Sequence, residues 1–278
     1  MNSPRLLTRS HYITAAVVGL AFSAAIVIVC IVVASLWGGE SSSVARIVKV
    51  FSNLSMNADG HIAWAGSMDA TYLFPFSIQA VTYFAFGTAW CLIIFRGRIC
   101  RLEEAALAAN LLPDDERTLI QPADIADVRE KIDAHKNSII VTLIERSLQQ
   151  YQTTLSTSEA ASIVTANGEA LLNEVDGHYS MIRYLAWAIP SLGFIGTVMG
   201  IGQALTGFRS GGNIDINMIT SNLSSAFDTT LVALMLSIVL MLIISRAESR
   251  EESVVTTAQS YALSNLVNRL FNPEIGRA

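Results

Sequence analysis

Two stretches decide how this chain folds: Ile189-Pro-Ser-Leu-Gly-Phe-Ile-Gly-Thr-Val-Met-Gly-Ile-Gly-Gln-Ala204 and Asn222-Leu-Ser-Ser-Ala-Phe-Asp-Thr-Thr-Leu-Val-Ala-Leu-Met-Leu-Ser237. Both are predominantly apolar, and each carries small or hydroxyl residues at spacings of 4, 3 and 4. In the first these are Gly193, Thr197, Gly200 and Ala204, with Gly196 widening the set; in the second they are Ala226, Thr230, Ala233 and Ser237. On a helix that spacing forms one stripe, and a stripe of small residues lets two backbones approach closely. Counting the helical rise from each outer end puts Thr197 and Thr230 at similar depth, near mid-membrane. Hydroxyls donate and accept, and their oxygens can replace part of a cation's hydration shell, so facing stripes suit a narrow ion path as well as packing.

The composition agrees with a membrane setting. The 278 residues are 52% hydrophobic and only 15% charged, with net charge −5, whereas a soluble domain carries about a quarter charged residues. Four runs are long enough to cross a bilayer: 12–37, 70–95, 184–208 and 216–245, the last interrupted only by Asp228. The first is about twice the length of a signal-peptide core and lacks a clean cleavage site, so it reads as a retained membrane helix. Arg5, Arg9, Arg96, Arg98, Arg101, Arg183, Arg246 and Arg250 flank one side, against Arg46, Lys49 and Arg209 on the other. Lys and Arg concentrate on the cytoplasmic side, so both termini are expected there.

Of 41 charged residues, 22 fall between 97 and 183, and this inner segment is patterned. Ile125, Val128, Ile132, Ile139, Leu143 and Leu148 recur at helical spacing, predicting one amphipathic helix over 124–151 with Pro122 just before it. Ser156 and Glu159 have capping-box spacing, and 160–175 continues as helix towards the third run. After the fourth run, 247–271 reads as a helical extension stopped by Asn272 and Pro273. The expected fold class is an all-α integral membrane protein with four transmembrane helices and long cytoplasmic helical extensions. Its divisions are 1–37, an outer loop 38–69, 70–96, a cytoplasmic helical domain 97–183, a two-helix core 184–246 and a cytoplasmic helix 247–278.

Other classes are disfavoured by residue type and spacing. Cys30, Cys91 and Cys100 have no zinc or redox spacing, and His11, His61, His135 and His178 are scattered singly, so no metal or other cofactor is expected. No nucleophile elbow, phosphate loop or paired catalytic carboxylates argue for an enzyme, and no catalytic residue is assigned. An acidic chain offers no basic face to nucleic acid. Asp228 is the one ionisable residue inside a run, which makes it a candidate functional acid; it sits about 200° around its helix from Thr230, which favours a structural role.

Taken together, Leu192-Gly-Phe-Ile-Gly-Thr-Val-Met-Gly-Ile201 and Leu223-Ser-Ser-Ala-Phe-Asp-Thr-Thr230 resemble the MotA/TolQ/ExbB proton-channel family. Its members carry a Gly-Leu-x-Gly-Thr-Val-x-Gly-Ile block on one membrane helix and an Ala-Leu-x-x-Thr block on the next. Thr197 and Thr230 fall on the two threonines, with Ala226 and Phe227 in the Ala-Leu positions. The resemblance implies a ring-forming homo-oligomer, five copies in characterised relatives, embedded in the lipid of the bacterial inner membrane. The ring surrounds the single-span helices of a MotB/TolR/ExbD-like partner that supplies a membrane aspartate. It implies translocated H+ or Na+ along Thr197, Thr230, Thr229 and Ser237, with Gly193, Gly196, Gly200, Ala204, Ala226 and Ala233 as packing and pore stripe. Four spans look stator-like, Thr229 beside Thr230 resembles sodium-driven stators, and Asp228 occupies a position that is usually apolar in the family. A membrane scaffold or signalling protein, with stripes serving packing alone, is the alternative.

Overall fold

The structure, a computed structural model, describes residues 13–22, 24–25, 54–56, 62–64, 72–73, 76–109, 138–206 and 216–270. Among these the chain is nearly all helical: α1 (Ile13–Phe22), α2 (Ile78–Ala108), α3 (Ile139–Thr154), α4 (Thr157–Thr206) and α5 (Ile216–Asn265), followed by a 3-10 turn at Val267–Arg269. Two antiparallel hairpins precede α2. In the first, β1 (Leu54–Met56) pairs with β2 (Ile62–Trp64) in the register Ser55 to Ala63; in the second, β3 (Tyr72–Leu73) pairs with β4 (Phe76–Ser77).

α2, α4 and α5 are each long and apolar enough to cross a membrane. Of the expected first span only α1 and residues 24–25 are described; the rest of 12–37 lies outside the described residues, as does most of the outer loop.

Three sequence expectations need correcting. The second run becomes helical only at Ile78, not Ala70, and its helix continues to Ala108. Ahead of it the run is extended instead, with Tyr72–Leu73 and Phe76–Ser77 paired as β3 and β4. The amphipathic helix does not run unbroken over 124–151: Ser138 is extended (φ −83, ψ 151), α3 starts at Ile139, and residues 124–137 lie outside the described residues. The helical extension expected over 247–271 is present as a direct continuation of α5 through Ser245, but its α-helix ends at Asn265, short of 271.

The described residues fall into two compact units. One comprises those of 94–180 and 245–270 and holds the end of α2, α3, the first half of α4 and the end of α5. Ile139, Leu143 and Leu148 are buried in it, as their spacing predicts. Ser156 caps α4 as its spacing suggests, accepting from the Glu159 amide at 3.4 Å, although the Glu159 carboxylate takes a hydrogen bond from Gln150. The start of α3 is fixed from α2: the buried Glu103 carboxylate accepts from both the Ser138 hydroxyl and the Ile139 amide at 2.7 Å. A carboxylate suits a helix N-terminus because the first amides there have no helical partner and the dipole is positive.

The second unit comprises the described residues of 13–93 and 181–244. α1 and α2 cross at glycines: a Cβ on Gly19 would lie 2.8 Å from the Phe84 carbonyl, and one on Gly87 3.1 Å from the Gly19 Cα.

Replacing Glu103 with Ala should cost about 1–2 kcal/mol, the usual value of a lost N-cap. Hydrogen exchange should then show faster exchange over the first turn of α3 while the seam of α4 and α5 keeps its protection.

Candidate functional site

Within the second unit α4 and α5 run antiparallel, because contacts climb one helix as they descend the other. The Ser237 hydroxyl donates to the Ala186 carbonyl, Gly193 faces Ala233 and Thr230, Thr197 meets Thr230, and Gly200 faces Ala226. The two stripes are therefore the two sides of one seam. A Cβ on Gly193 would come 2.6 Å from the Ala233 Cβ, and one on Gly200 would come 2.5 Å from the Ala226 Cβ. Real side chains cannot approach so closely, so glycine is what allows these backbones to meet. Ala204 is buried on the same stripe.

The Thr197 and Thr230 hydroxyls hydrogen-bond to each other across the seam. Both also reach one acceptor, the Gly193 carbonyl, Thr230 at 2.7 Å and Thr197 at 3.2 Å. One flank of this pair is closed by packing: a Cβ on Gly196 would fall 2.7 Å from the Thr229 hydroxyl and 3.5 Å from Ile78 of α2. Thr229 is buried there, and its hydroxyl donates to the Ala226 carbonyl of its own helix at 2.8 Å. The other flank is open among the described residues. Thr197 and Thr230 are only half-buried, and within about 60° of them around their helices lie the exposed Phe194 and Ile201 of α4 and Phe227 and Leu234 of α5.

Residues 135–260, which carry this geometry, match the MotA/TolQ/ExbB proton channel family. Over that segment the chain is a member of the MotA/TolQ/ExbB family. The matched residues contain both stripes and all of α3. No curated protein and no solved structure matches the chain.

Two of the residues assigned from the sequence have further surroundings that bear on this family core. Ser237 serves the backbone. Pro190 sits inside α4 and has no N–H to offer the carbonyl four residues earlier, which is Ala186. The Ser237 hydroxyl takes that place at 3.2 Å, satisfying a buried acceptor that lipid could not. Asp228 is half-buried on α5, about 200° around the helix from Thr230, so it does not share the open flank of the threonine pair.

The first unit holds a cluster that no sequence pattern marked. Arg96 of α2 is joined side-on to Glu251 of α5: Nη2 contacts Oε1, and Nε donates to Oε2 at 3.3 Å. The Tyr179 hydroxyl of α4 donates to the same Oε2 at 3.2 Å. The Arg96 and Glu251 side chains are only 3% and 6% exposed. Burial pushes the Glu251 carboxyl above its usual range, opposed by Arg96 and by the Tyr179 hydrogen bond, and burial also pushes the Tyr179 phenol up. His178 stands beside them: its Nδ1 is buried with no hydrogen-bond partner among the described residues, and its Nε2 is 3.9 Å from Glu174. Burial, then Arg96, pushes the imidazole below its ordinary range, while Glu174 pulls it up. Arg96 and Glu251 are 155 positions apart, and only one charge of each sign in a low-exposure site would have signalled the pair. Arg96 reads from the sequence merely as a cytoplasmic flank.

Removing one partner of such a pair strands a buried charge, so Arg96→Ala should destabilise the protein by about 3–5 kcal/mol, measured as loss of helical signal with temperature in detergent. Ser237→Ala should cost only about 1 kcal/mol, in line with interhelical hydrogen bonds in membranes.

A histidine whose folded pKa is depressed contributes stability above its unfolded value, near 6.5, and loses it as pH falls through the lower folded value. His178→Asn should therefore flatten the decline in melting temperature on acidification below about pH 6.5, and a decline equal to that of the native chain would show that His178 is not its source.

Proposed function

We propose that this chain is the ion-conducting channel subunit of a machine driven by a proton or sodium gradient in the bacterial inner membrane. It is a membrane protein of a proton channel family. The observation that carries the finer reading is the open flank of the Thr197–Thr230 pair: two hydroxyls held across a glycine seam, half-exposed and bordered by apolar side chains. In this reading four spans place both termini in the cytoplasm. Copies of the chain, five by family resemblance, form a ring whose threonine flanks face inward. A single-span MotB/TolR/ExbD-like partner sits against them and supplies the titrating aspartate.

The chemistry divides between the two proteins. Hydroxyls cannot carry charge at neutral pH, but they can relay a proton by donating and accepting, or coordinate a partly dehydrated cation. Thr197 and Thr230 carry this role; Thr229 and Ser237 support it from within the seam, and the glycine and alanine stripe holds the helices at the required distance. An acid from the partner then titrates as it passes the hydroxyls. Each charge crossing 100 mV releases about 2.3 kcal/mol, and successive crossings add to drive motion between ring and partner.

The tight contacts at Gly193 and Gly200 favour a second reading, in which the stripes serve packing alone and the protein is a membrane scaffold. The two readings separate on the hydroxyls. Valine keeps the shape of threonine and removes its hydrogen bonding, so Thr197→Val and Thr230→Val should each lower gradient-driven ion flux in vesicles containing chain and partner. The expected loss is about tenfold, the equivalent of one hydrogen bond of about 1.4 kcal/mol, with assembly intact and with serine retaining most flux. Full flux in both valine variants would leave the scaffold reading standing.

A further inference from the structure

The first unit contains an open groove of about 620 Å³ between the end of α2 and α5, within the size range of small-ligand clefts. Its walls include Glu104 of α2 and Ser245, Arg246, Ser249, Arg250 and Ser253 of α5. The three serines are four residues apart and the two arginines four apart, so each set stacks along one face of the helix.

The state of these groups is informative. Hydroxyls nearby on α5 are spent on their own helix: Thr256 donates to the Glu252 carbonyl, Thr257 to Ser253 and Ser264 to Ser260. The hydroxyls of Ser245, Ser249 and Ser253 make no such bond among the described residues. Arg250 is paired side-on with Glu104 at 2.7 and 2.6 Å, which holds that carboxyl below the usual range, so the pair stays ionised and is neutral as a unit. Arg246 is exposed and has no charged partner among the described residues. The groove therefore carries one net positive charge and three free hydroxyls.

Its depth narrows the ligand. The apolar run of α5 ends at Ser245; Arg246 follows at once, and Arg250 lies about 6 Å further along the axis. The polar layer of a bilayer extends about 5–8 Å beyond the hydrocarbon on each side, so the two arginines lie at the level of lipid phosphates.

We propose that this groove binds the phosphodiester headgroup of a membrane phospholipid, with Arg246 contacting the phosphate and the serine hydroxyls contacting its oxygens and the headgroup alcohol. A single net positive charge matches a phosphodiester, which carries one negative charge, better than it matches free phosphate, which carries nearly two at neutral pH. The proposal rests on the membrane reading of α5 and is independent of whether the threonine pair conducts.

The test uses the full chain in a neutral maltoside detergent, with dioleoyl phosphatidylglycerol as probe and bound lipid counted by native mass spectrometry. The native protein should retain the lipid. Arg246→Ala should weaken retention about fivefold, the usual effect of one basic residue at a lipid surface, and Arg246→Lys should restore most of it. Ser249→Leu, which fills the groove without changing charge, should weaken retention too, with helix content by circular dichroism confirming that each variant is folded. Arg98→Ala is the matched control, since Arg98 is exposed near the end of the α2 apolar run but outside the groove, and it should change nothing. Equal losses for Arg98→Ala and Arg246→Ala, or no loss for Arg246→Ala, would overturn the proposal. Displacement of the lipid by inorganic phosphate at equal concentration would assign the groove to free phosphate and overturn it as well. None of these outcomes reads ion flux, so failure here is distinct from failure of the channel reading.

Discussion

The close approach of α4 and α5 is the constraint on which the second unit depends. At Gly193 and Gly200 no side chain fits, since a Cβ would meet Ala233 or Ala226 at 2.5–2.6 Å. Association in lipid gains little from hydrophobicity and relies on packing and interhelical hydrogen bonds, and the seam supplies both. It sets Thr197 against Thr230, shares the Gly193 carbonyl between them, and brings Ser237 to the acceptor that Pro190 leaves open. The proline would otherwise leave an unpaired carbonyl at membrane depth. With Thr229 and Ile78 closing one side, the other flank of the two hydroxyls is open among the described residues.

Charge does in the first unit what close packing does in the second. Arg96 and Glu251 hold α2 and α5 together with Tyr179 of α4 as a third member, and Glu103 fixes the start of α3. Such pairs are costly to bury and more costly to break, so they specify which helices meet within this unit more than they add to its stability. Arg250 and Glu104, exposed beside the groove, contribute little by comparison.

Much of the second unit was legible in the sequence because its rules are local. The 4, 3, 4 spacing of small residues is a property of one helix, and two such stripes at matching depth predict their own contact; Thr197 and Thr230 follow. What was not legible is long-range or lies where two local signals conflict. The apolar run from residue 70 promised a helix, but its described residues before Ile78 pair as β3 and β4. Helical periodicity ran through Ser138 without a break, yet the Glu103 carboxylate, 35 residues away, takes the Ser138 hydroxyl and the Ile139 amide and starts the helix there. Ser237 looked like part of a hydroxyl path; its partner is set by a proline on the other helix. Arg96, Glu251 and Tyr179 have no common motif, and only the fold brings them together.

The central claim is that the open flank of the Thr197–Thr230 pair lies on the ion path. The most direct measurement is flux through vesicles of chain and single-span partner carrying Thr230→Cys in a background without Cys30, Cys91 and Cys100, before and after quantitative modification by a small thiosulfonate reagent. Modification should block flux in the Thr230→Cys protein and leave the cysteine-free protein unaffected. Undiminished flux through a fully modified protein would contradict the account.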